Sequence, residues 1–123
     1  MEVEENLFEA LLVFPMNTKG DKCKRLLELI IKKQKELNGK SVICKGEITP
    51  SSRFFSTFRK IEIKDNILCI SIDWNKKRID PNFNLNSLTI LINADGITFQ
   101  TEDRNFIKEV TIFVKSSSCG IKV

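Results

Sequence analysis

The stretch DKCKRLLELIIKKQKEL, Asp21 to Leu37, decides the fold class. Cys23, Leu26, Leu27, Ile30, Gln34 and Leu37 recur at three- and four-residue steps, so they share one face of a helix turning about 100° per residue. Leu29 and Ile31 flank that face and widen the apolar stripe, as expected of a helix lying flat on a sheet. Lys24, Arg25, Glu28, Lys32 and Lys35 occupy the far side. Thr18 or Asp21 is the expected N-cap, and Asn38-Gly39 supplies a left-handed stop. Lys32, Lys33 and Lys35 lie where cations suit the C-terminal end of the helix dipole.

Outward from this helix the chain reads as strands. On its N-terminal side, Leu7 to Phe14 reads as a strand, although Glu5 to Leu12 also suits a helical turn or two. Pro15 stops either. On its C-terminal side, Ser41 to Ile48 is a second strand, followed by the loop residues Thr49-Pro50-Ser51-Ser52. Phe58 to Lys64 alternates, with Ile61 and Ile63 on one face and Lys60, Glu62 and Lys64 on the other. Asp65-Asn66 is a tight turn into Ile67 to Trp74, where Leu68, Ile70, Ile72 and Trp74 share a face.

Asn75 to Asn86 is polar, contains Pro81, and reads as a long connection. Leu88 to Asn93 and Ile97 to Thr101 read as a second hairpin across Ala94-Asp95-Gly96, with Gly96 free to take positive φ. Val110 to Lys115 is a further strand, Ser116 to Ser118 a loop, and Gly120 to Val123 a tail. The expected fold is α+β. Residues 1–123 form a single domain, a twisted antiparallel sheet of six or seven strands with one amphipathic helix packed on one face.

A chain of 123 residues buries a core without metals or disulfides. No apolar run approaches the roughly 20 residues that span a bilayer, and the N-terminus is acidic where a secretory signal is basic. A cytoplasmic protein with no membrane partner is expected. Cys23, Cys44, Cys69 and Cys119 are far apart and read as small hydrophobes in a reducing compartment rather than as a zinc or disulfide framework.

Histidine and tyrosine are absent, which removes His-dependent triads, the usual general base and phenol chemistry. The five glycines are scattered singly, so no loop cradles a phosphate. Glu62-Ile63-Lys64 has the acidic-x-Lys form of a metal-dependent nuclease strand. Any solvent-facing strand alternates the same way, and no aspartate lies between Asp21 and Glu62 to complete the site. Neither an enzymatic activity nor a cofactor or metal is expected.

Charge is unevenly distributed. Residues 1–18 hold four acids and no base, residues 19–78 hold 16 bases and 7 acids, and residues 79–123 hold 4 bases and 5 acids. Two basic-aromatic clusters stand in the middle segment: Arg53 to Lys60 with Phe54, Phe55 and Phe58, and Trp74 with Lys76, Lys77 and Arg78. Phe54, Phe55, Phe58 and Phe113 are candidates for apolar surface on the open sheet face, although core packing is the expected place of most of them. The candidate partner-binding residues are Arg53, Phe55, Arg59, Lys60, Trp74, Lys76, Lys77 and Arg78. They suit a non-catalytic protein-binding module that meets an acidic partner surface, such as a toxin-immunity protein or a phage-encoded inhibitor. The alternative is nucleic-acid binding, with bases neutralising phosphates and aromatics stacking on bases. Because six helix bases are partly offset by Asp21, Glu28 and Glu36, the helix reads as the lid of the core rather than as the binding element.

Overall fold

The computed structural model describes residues 6–46 and 53–114, and of residues 53–55 the backbone alone. Two α-helices, α1 (Leu7–Leu11) and α2 (Cys23–Lys32), accompany nine strands. The strands are β1 (Asn17–Lys19), β2 (Ser41–Gly46), β3 (Arg53–Lys64), β4 (Ile67–Trp74), β5 (Lys77–Ile79), β6 (Asn82–Asn84), β7 (Leu88–Ile92), β8 (Gly96–Thr101) and β9 (Ile107–Phe113). They form one antiparallel sheet in the order β1-β7-β8-β9-β2-β3-β4-β5, with β6 also paired to β4. The fold class is the α+β arrangement expected, with more strands than the six or seven anticipated.

The Asp21–Leu37 stretch is divided. Helix α2 is flanked by 3-10 turns at Gly20–Lys22 and Gln34–Leu37. Neither expected cap is used: Lys22 precedes α2 without a side-chain cap, and Thr18 lies in β1. The preceding 3-10 turn takes the place of a cap by leading the chain directly into the helix. The stop is as anticipated. Gly39 takes φ +84°, and its N–H donates to the Phe58 carbonyl at 3.1 Å.

Cys23, Leu26, Leu27, Ile30 and Leu37 are completely buried against the concave face of the sheet. Gln34, the one polar member of that stripe, has a structural task. Beyond Thr57, β3 has no β2 partner, and the Gln34 amide substitutes for the missing strand. Its Oε1 accepts from the Ile61 N–H at 3.2 Å, and its Nε2 donates to the Ile61 carbonyl at 3.1 Å.

Two expected elements are corrected. Leu7–Phe14 is not a strand, because Leu7, Ala10 and Leu11 are buried at helical spacing and form α1. The Asn6 side chain caps it by accepting from the Glu9 N–H at 2.8 Å. Asn75–Asn86 is not an open connection either. Asn75 and Lys76 take φ of +52° and +66° and make a two-residue turn, as do Asp65 and Asn66 at +52° and +63°. The chain then runs back along β4 as β5 and β6. Ile72 faces Ile79 and Cys69 faces Asn82 in one unbroken register. Pro81 divides the two pieces because it has no N–H, while its carbonyl still accepts from Ile70 at 3.0 Å.

Smaller departures have local causes. A bulge at Arg59 separates the pairs Phe58–Ile72 and Lys60–Ser71, so Phe58 and Ile61 reach the same core face although three residues apart. Phe58 is therefore core, as expected for most of the four phenylalanines, and not open surface. Gly96 starts β8 without positive φ; a Cβ there would meet the Ile112 carbonyl, so the glycine serves close strand approach. Strand β3 begins at Arg53 rather than Phe58, and β9 covers Ile107–Phe113 rather than Val110–Lys115. Ile48, the Thr49–Ser52 loop, Ser116–Ser118 and Gly120–Val123 lie outside the described residues.

Sheet curvature carries β6 towards β8 across the core, where the Phe83 and Phe99 rings pack 6.4 Å apart. The Thr18 hydroxyl is buried with no hydrogen-bond partner among the described residues. Replacing Thr18 by the isosteric valine should raise stability by about 1 kcal/mol, whereas Gln34→Leu should lower it by about 2 kcal/mol by stranding both polar groups of Ile61. Urea unfolding of the two variants measures both changes, and equal effects of the same sign would refute these assignments.

Candidate binding surface

The extra residue of a bulge leaves the regular ladder, and Arg59 uses that freedom to reach along the outer face of β4. Its Nε lies 3.1 Å from Asp73 Oδ2. Arg78 stands opposite Asp73 in the β4–β5 pair, and its Nε lies 3.3 Å from the other carboxylate oxygen, Oδ1. One carboxylate thus holds two guanidinium groups side by side through their Nε edges. Being partly exposed, these ion pairs add little to stability but restrict the two arginines to one neighbourhood.

Arg59, Lys60 and Arg78 join Gln34, Lys35 and Asn38 around a concavity of about 400 Å³. Four cationic side chains and two amides line it, and no carboxylate does. Three strand residues expected from the sequence are brought together here, and the end of the helix segment adds Lys35, which the reading of the helix as a lid had set aside. The signal for Lys35 was its place on the basic side, near the C-terminal end of the Asp21–Leu37 stretch. What it meets depends on the Arg59 bulge, which no spacing rule marks.

The other candidates are distributed differently. Trp74 ends β4 half-buried opposite Lys77, while Lys76 and Lys77 are exposed on the adjoining turn and strand outside the concavity lining. The Arg53 and Phe55 backbones pair with Lys45 and Ile43 in the β2–β3 ladder, and their side chains lie outside the described residues. Phe113 is half-buried. Lys60 also approaches Glu62 at 3.6 Å, which occupies the carboxylate of the Glu62-x-Lys64 fragment. Among the described residues, no three His, Cys, Asp or Glu side chains gather as a metal site, and no helix is long and apolar enough to cross a membrane.

Among the described residues, the environments of Cys23, Cys44 and Cys69 oppose nucleophilic chemistry. Burial pushes the Cys23 thiol up to about 11, only partly countered by a hydrogen bond with the Ile90 backbone. Burial likewise lifts Cys44 to about 11 against a hydrogen bond with Ser56. Cys69 is raised too, first by burial and then by the Glu62 and Asp80 carboxylates. Comparison with protein-family models, with curated proteins and with solved structures finds no match to this chain.

The thiol environments set an order of reactivity. At pH 8 an alkylating reagent should modify half-buried Cys69 well before Cys23 or Cys44, read by peptide mass mapping of the native protein. The unfolded chain ionises these thiols near 9.0 and the folded chain near 11. The protonated thiols' contribution to stability is therefore full below pH 9 and is lost as pH rises towards 11. Fast labelling of Cys44 in native protein at pH 8 contradicts this environment.

Proposed function

We propose that this protein is a non-catalytic binding module that recognises an acidic surface on a protein partner, in the manner of a small intracellular inhibitor such as a toxin-immunity or phage-encoded inhibitor protein. The carrying observation is the convergence of Lys35, Arg59, Lys60 and Arg78 on one concavity without a lining carboxylate. Arginine forks match partner carboxylates in geometry as well as in charge. With Asp73 engaging each Arg59 and Arg78 through Nε, donors on the terminal nitrogens are available for a partner. Charges placed at such a rim steer association and fix register, while affinity comes from apolar contacts elsewhere in the interface.

The nucleic-acid alternative requires aromatic platforms beside the bases. Phe58 is fully buried, and Trp74 is half-buried with contacts of its own. Among the described residues the strongly exposed aromatic is Phe106, which lines a different concavity with Asp80 and Asp103. Among the described side chains, the bases lining the Arg59–Arg78 concavity stand without exposed aromatics beside them, which favours a protein partner.

The test compares fluorescent poly-L-glutamate with a single-stranded oligothymidine of matched charge across a salt titration. The glutamate polymer should bind at least as well as the oligonucleotide, and Arg59→Glu with Arg78→Glu should weaken it by about tenfold. Two outcomes count against the reading. One is an oligonucleotide preference that Trp74→Ala abolishes; the other is no response to the double charge reversal.

A further inference from the structure

A second concavity, of about 750 Å³, opens at the other end of α2. Part of its lining is the loop joining α1 to β1. Leu12, Val13 and Met16 in this loop are 66, 79 and 71% exposed, which makes them three of the four large apolar side chains that the described residues leave to solvent. Val13, Phe14 and Pro15 line the concavity, and Leu12 and Met16 adjoin them in sequence. Lys19, Lys22 and Arg25 also line it, with Asp21 as the acid in the lining. Contiguous exposed apolar side chains beside bases of one sign are the pattern of an interaction surface, because isolated packing offers no reason to leave them in water.

Asn17, Thr18 and Lys19 of β1 also line this concavity, and β1 is a sheet edge. Strand β1 pairs with β7 on one side, and among the described residues no strand pairs with its other side. The Met16 carbonyl accepts from the Ile92 N–H at 2.9 Å, so position 16 directs its backbone towards β7. Antiparallel alternation then turns Thr18 towards β7 and leaves the backbone groups of Asn17 and the Lys19 N–H on the open edge, while the Lys19 carbonyl begins the 3-10 turn that follows. An extended segment laid there gains main-chain hydrogen bonds, and its alternate side chains meet Val13 and Phe14 on the loop.

We propose that the open edge of β1 and the Leu12–Met16 loop form a docking groove for an extended segment of the protein partner, acidic and with large apolar side chains at alternate positions. The occupant's acidity follows from Lys19, Lys22 and Arg25, and its apolar positions from the exposed loop. This rests on the acidic-partner reading but uses residues separate from the Arg59–Arg78 concavity. A lipid surface fits less well, because the site is a groove with an edge strand and Asp21 in its lining.

The probe is a fluorescein-labelled peptide of about ten residues alternating leucine and glutamate, titrated against the full chain by anisotropy. Saturable binding is expected, weakened about tenfold or more by Val13→Asp and by Arg25→Glu, and a leucine–lysine peptide should bind about tenfold more weakly. Both substitutions are on exposed positions, and circular dichroism checks that the variants fold. Backbone amide shifts on peptide addition should centre on Asn17 to Lys19. The control is Arg59→Glu with Arg78→Glu. Loss of peptide binding in that variant alone keeps the acidic-partner reading and overturns the groove. Absence of saturable binding overturns the groove, as does binding that neither Val13→Asp nor Arg25→Glu changes. Val13-dependent binding to phosphatidylserine vesicles, without binding to the peptide, replaces it with a lipid site.

Discussion

The structure depends on the burial of one short helix in the concavity of one sheet. A single antiparallel sheet has two faces and can dry only the face that something covers. Here the cover is α2 and its 3-10 extension, through Cys23, Leu26, Leu27, Ile30 and Leu37, none of which retains measurable exposure. Each large aliphatic side chain so buried is worth about 1.5–3 kcal/mol. The sheet curves far enough for Phe83 of β6 to meet Phe99 of the interior strand β8, while the Cys23 thiol donates to the Thr18 carbonyl of edge strand β1 at 3.4 Å.

Curvature also decides where charge is presented. Because the inner face of α2 is committed to the core, its bases project outwards, and both basic concavities lie at its ends. One borrows Arg59 and Arg78 from the strands, and the other borrows the loop that follows α1. Asp73 prevents the two strand arginines from repelling each other and keeps them beside one another at modest energetic cost. The helix is thus a lid and also the link between the two charged sites.

Much of the sheet was legible because its signals are local. Asp65-Asn66 marks a turn in two residues, and the Ile67–Trp74 alternation shows which side chains face the core. Leu7–Phe14 was misread because a run of apolar residues that short suits a strand or a helix equally, and burial of Leu7, Ala10 and Leu11 settles the choice. The Asn75–Asn86 strands were missed for another reason. Their polar side chains carry little apolar periodicity, and what holds them is main-chain pairing with β4. Of the candidate binding residues, Arg59, Lys60 and Arg78 were recognisable as bases beside strands. Lys35 and the exposed Leu12–Met16 loop were not, because their meaning comes from neighbours distant in sequence.

The sequence by itself determined the α+β class, the apolar face of the central helix, the Asp65-Asn66 hairpin and the concentration of bases between residues 19 and 78. These follow from side-chain period and composition, which are properties of nearby residues. Only the tertiary structure decided that Phe58 is core, that Gln34 stands in for a missing strand, and that Lys35, Arg59 and Arg78 share one concavity. A one-residue bulge reverses which face a side chain occupies, and sheet curvature sets which distant groups meet. Both are fixed by the closing of the whole core around α2, and neither is written in any short stretch of the chain.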